Sequence, residues 1–144
     1  MNSVAITDRE KAAKLVAQWC DGEITNWDLD DAWPYESQDR AVVDIGRELW
    51  CHYSDYPKAR LKLSALSAAE TQLLKRCLEF LKSTEEYEPV PYEEVVPWKP
   101  SVLTRLFGVK ERPWETMRLK VNTERQQWWP FADEAQWQKT MTSH

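Results

Sequence analysis

The chain has 144 residues, 42% of them hydrophobic and 30% charged, and its 19 Lys and Arg face 24 Asp and Glu for a net charge of −5. This is the composition of one globular domain built on one core: three Gly and eight Pro exclude a collagen-like chain or a flexible linker, and no apolar run approaches the roughly 18 residues of a spanning helix. A net-negative surface repels a phosphate backbone, which argues against nucleic acid as a partner, and Met1 to Glu10 lacks the basic start and apolar block of a secretory leader, so the expected location is cytoplasmic, with no membrane contact.

In chain order, Thr7 with Glu10 three residues on reads as a capping box opening a helix from about Asp8 to Cys20, whose apolar face is Ala12, Leu15, Val16 and Trp19 and whose stop is Gly22. Thr25 or Asn26 caps a short second helix through Trp27, Leu29 and Ala32, ended by Pro34. From Ser37 a third helix carries a wide apolar stripe through Val42, Ile45, Gly46, Leu49, Trp50 and Tyr53. Gly46 within that stripe costs about 1 kcal/mol of helix propensity against Ala, which predicts close approach of another helix there. Ser67 and Glu70 repeat the capping box and open a fourth helix through Leu74, Cys77, Leu78 and Leu81.

Beyond residue 83 the character changes. Pro89, Pro91, Pro97 and Pro100 prevent a regular helix, while Tyr87, Val90, Tyr92 and Trp98 make the segment too aromatic for a solvated linker. The expectation is an extended arm lying on the helices. A short helix is expected over Val102 to Phe107, a half-buried strand over Met117 to Val121, a partner strand near Trp128 to Pro130, and a terminal helix from Asp133 containing Trp137. The predicted fold is therefore mainly α, a single domain over 1–144: a body of about four helices over 1–83, a proline-rich arm over 84–101, and a small α+β extension over 102–144.

Charge and thiols narrow the chemistry. Residues 1–98 hold 11 basic and 19 acidic side chains, whereas 99–144 hold 8 and 5, so an acidic body adjoins a mildly basic tail. Cys20, Cys51 and Cys77 show no C-x-x-C spacing and read as reduced, buried thiols; with only His52 and His144 for histidines, no zinc pattern exists. No nucleophile with a base, no phosphate cradle and no defined carboxylate pair stands out. Neither a catalytic residue nor a cofactor or metal is assigned.

The candidate surface lies where rings and acids interleave. The stretch Trp27, Asp28, Asp30, Asp31, Trp33, Tyr35 and Glu36 can grip a basic protein, the rings filling pockets and the acids steering encounter; equally, the acids can simply answer a helix dipole. A second acidic run, Glu85, Glu86 and Glu88, can dock on a partner or pair with Arg105, Lys110, Arg112, Arg118 and Lys120 of the same chain. Of nine tryptophans, Trp19 and Trp50 sit in helical stripes and belong to the core. Trp128 and Trp129 are adjacent, so in a strand they would face opposite ways and leave one as an exposed anchor. Charge reversal across Asp28, Asp30, Asp31 and Glu36 is expected to abolish binding and leave thermal stability nearly intact.

The segment Trp19-Cys20-Asp21-Gly22-Glu23-Ile24-Thr25-Asn26-Trp27 with Asp31 and Trp33, together with Leu49 to Asp55 and Cys77 to Leu81, resembles short uncharacterised bacterial proteins. The overall style, a small acidic helical body rich in aromatics, resembles immunity proteins that neutralise bacterial toxins. That likeness implies a non-catalytic, cytoplasmic binding protein with a basic partner such as a toxin, and assigns no residue a role. A small enzyme with a carboxylate-lined pocket and a homo-oligomeric structural protein are the alternatives.

Overall fold

The computed structural model describes residues 4–53, 58–90, 92–94, 117–119 and 126–142, with only the backbone described at 51–53, 92–94 and 117–119. Among the described residues the fold is mainly helical: α1 (Ile6–Cys20), α2 (Asn26–Ala32), α3 (Arg40–Tyr53), a 3-10 turn at Leu63–Ala65, α4 (Ala68–Leu81) and α5 (Glu134–Thr142). Two three-residue strands, β1 (Tyr92–Glu94) and β2 (Met117–Leu119), pair antiparallel with Glu93 opposite Arg118. No described helix is long and apolar enough to cross a membrane.

Local chemistry accounts for most helix starts. Ser67 and Glu70 form the reciprocal capping box of α4, the Glu70 N–H donating to the Ser67 hydroxyl at 3.1 Å and the Ser67 N–H to the Glu70 carboxylate at 3.2 Å. Thr25 and Asp28 do the same for α2. For α1 the expected box at Thr7 is absent. The helix begins earlier, at Ile6, with Ala5 as its N-cap and no side-chain cap, because Asp39 from the start of α3 accepts the Ala5 N–H at 3.0 Å. Thr25→Ala is thus expected to cost about 1 kcal/mol and Thr7→Ala less than about 0.5 kcal/mol, compared by urea unfolding. Asp28 adds a pH signature. Its carboxyl is held below the usual carboxylate range by the Thr25 N–H and then the Thr25 side chain, so the stability it contributes is present at neutral pH and fades as pH falls through that lowered value.

The apolar faces meet in one core. Ala12, Val16 and Trp19 of α1, Leu29 of α2, Val42, Ile45 and Leu49 of α3, and Leu74, Phe80 and Leu81 of α4 are buried together, each fully buried large side chain contributing about 1.5–3 kcal/mol. α1 lies against α2, α3 and α4, and α3 against α2 and α4, while α5 packs on α4 and the β2 backbone runs beside α3. Trp50 is partly buried against the same core.

After α4 the chain turns away from helix, and residues 84–90 send Tyr87 and Val90 inward. The rest of the proline-rich segment beyond Glu94, the helix expected over 102–107 and the Val121 end of the expected strand lie outside the described residues. A correction concerns 128–130. This stretch is a turn, not a strand, and the partner of Met117–Leu119 is Tyr92–Glu94. The turn drives Phe131 into the core, where its ring stands edge-on to Phe80 at 5.0 Å and to Trp137 of α5 at 5.1 Å. That aromatic stack joins the terminal helix to α4 and the core.

Candidate functional site

The 27–36 stretch is built from its cap outward. The Thr25 box fixes the first turn of α2, and Asn26 pins it to the chain after α3, its N–H donating to the Ala59 carbonyl at 3.1 Å and its side-chain oxygen accepting the Ala59 N–H at 3.0 Å. With about 100° per residue, positions 26 and 29 then point inward and 27, 28 and 31 outward. The burial follows this rule: Leu29 is fully buried, while Trp27 is 53% exposed and Asp28 and Asp31 are open to solvent. Trp27 and Asp31, one turn apart, share the outer face.

Trp33 is a correction to the predicted surface. Its ring is buried against α3, with the indole N–H donating to the Val42 carbonyl at 2.9 Å and the ring lying over Gly46. The close approach that the glycine permits is therefore made by an indole rather than by a neighbouring helix. Tyr35 is half-buried and donates its hydroxyl to Asp30 at 2.6 Å, which ties both residues to the turn after α2. Glu36 is exposed. Lys58 and Arg60 lie near enough to Asp28 to help lower its carboxyl, so part of this acidic face is answered within the chain. Reversing charge at all four acids is consequently no pure surface change: Asp28 closes the cap and Asp30 receives Tyr35, so those two substitutions also cost stability.

The second acidic run behaves differently again. Glu85 is half-buried and pairs with Lys139 of α5 at 3.1 Å, a partner outside the basic set expected from the sequence, and its carboxylate also accepts from Gln136 at 3.4 Å. The Glu86 carbonyl accepts from Gln136 at 3.2 Å, and the side chains of Glu86 and Glu88 reach solvent. Neither member of the Trp128–Trp129 pair is an exposed anchor. Trp128 packs half-buried against the core and Trp129 is 3% exposed.

Three buried polar groups were invisible as such in the sequence. Arg9 and Asp39 form an ion pair with both side chains 1% exposed, at 2.6 Å. Asp44, fully buried on α3, accepts from Arg40 Nε at 2.9 Å and from the Tyr87 hydroxyl at 2.8 Å. Tyr87 in turn accepts from the Trp129 indole N–H at 3.1 Å. The direction of this chain is set chemically. An indole N–H only donates, so the tyrosine hydroxyl accepts there and donates to Asp44. Arg76 of α4 completes the attachment, giving hydrogen bonds to the Trp129 and Gln126 carbonyls at 2.9 and 3.3 Å. The signal that marks Arg9 and Asp44 is positional: Arg9 falls on the α1 stripe with Ala12 and Val16, and Asp44 lies between buried Val42 and Ile45.

Cys20 and Cys77 are free thiols. Burial pushes the Cys77 thiol far up, against a smaller opposing pull from Arg76, and burial followed by Asp21 raises Cys20. Both shifts favour the protonated thiol, and Cys77 is in addition shut away from solvent. Alkylation of the folded protein, read cysteine by cysteine by peptide mass spectrometry, should leave Cys77 unlabelled until denaturant is added. Among the described residues no group of His, Cys, Asp and Glu is placed to hold a metal ion. No protein-family model, curated protein or solved structure matches the chain.

Proposed function

We propose that this chain is a non-catalytic protein-binding module of the immunity-protein kind, holding a basic partner such as a toxin on the outer face of α2. The observation that carries the reading is Trp27: a large ring 53% exposed on a helix whose cap and inner face are fixed by Thr25, Asn26, Leu29 and Trp33. A rigidly presented indole loses little conformational freedom on binding and is a frequent energetic anchor in interfaces. Around it the exposed Asp31 and Glu36 supply negative charge that steers a basic surface without being needed by the fold. The contact surface is thus smaller than the sequence suggested: Trp27, Asp28, Asp31 and Glu36, with Glu86 and Glu88 at a second exposed edge.

The test takes a basic protein recovered by affinity capture, purified, and titrated against variants by calorimetry and stopped flow. Trp27→Ala is expected to weaken affinity by about 2 kcal/mol, roughly 30-fold, mainly through dissociation. Asp31→Lys with Glu36→Lys is expected to slow association and flatten its salt dependence. Thermal midpoints should be unchanged in both. Unaltered affinity in both variants would remove this face from the interface.

A further inference from the structure

We draw no further inference here: the strongest candidate, the outer face of α2 around Trp27 and Asp31, belongs to the surface already described, and nothing in the structure shows what covers it.

Discussion

Arg9→Met is expected to destabilise the protein by about 3–5 kcal/mol, measured by urea unfolding with tryptophan fluorescence. Arg9 Nε donates to Asp39 at 2.6 Å, Nη1 to the Ser83 carbonyl at 3.0 Å, and the guanidinium carbon sits 4.8 Å from the centre of the Phe80 ring. Removing it strands a buried carboxylate, and a loss of this size is a large part of the 5–15 kcal/mol typical of a whole domain. Restoring neutrality with Asp39→Leu in the same chain often rescues such a pair elsewhere, since apolar residues of similar volume can replace buried ions at little cost. Here the rescue should fall short by about 1 kcal/mol or more, because the Asp39 oxygens also accept the part-buried Ala5 N–H at 3.0 Å and the buried Ala41 N–H at 3.1 Å, and both donors would lose their acceptor. Asp39 thereby serves the first turns of α1 and α3 together. A double variant as stable as the parent would mean that this carboxylate only balances Arg9 and caps neither helix.

How far the sequence reveals such features depends on whether their cause is local. The capping box at Ser67 is written within four residues, and the helical stripes of α1, α3 and α4 within fourteen or so, so both are legible without tertiary knowledge; the same local pattern at Thr7 and Glu10 forms no box, and at Thr25 the sequence offers a cap at Thr25 or Asn26 but not the reciprocal bond with Asp28. Asp39 and Arg9 are 30 residues apart, and a lone charged side chain reads as solvated by default, so neither the pair nor the early start of α1 was legible. The surface was half legible for a related reason. On a seven-residue helix, cap position alone sends Trp27 outward, but Trp33 lies beyond the last turn, where its direction is decided by the groove over Gly46 rather than by periodicity. The strand expected at Trp128 and Trp129 does not form: the turn before α5 breaks the alternation and buries Trp129 beside Tyr87. Gly46 itself was informative, since an unfavourable residue in a good helix implies a neighbour that needs the space.

Gly46→Ala tests that implication through its sign. In an open helix the change would stabilise by about 1 kcal/mol. In this protein the added methyl carbon would meet the Trp33 indole, closest to its nitrogen and 2.6 and 2.8 Å from Cδ1 and Cε2, well inside contact distance. The ring must shift, and with it goes the 2.9 Å hydrogen bond to the Val42 carbonyl in a buried setting. Overpacking and the lost bond together outweigh propensity, so the net effect should be a destabilisation of about 1–3 kcal/mol. A double-mutant cycle isolates the cause. In a Trp33→Leu background the space over Gly46 is open, and Gly46→Ala should then be neutral or stabilising by up to about 1 kcal/mol, a coupling of at least about 1 kcal/mol between two residues thirteen positions apart. Because Trp33 also ends α2, displacing it is expected to shift the helix that carries Trp27, so under the proposed function Gly46→Ala would weaken partner binding without touching the proposed contact face. A raised urea midpoint for Gly46→Ala in the parent chain would show that the indole does not rest on this glycine.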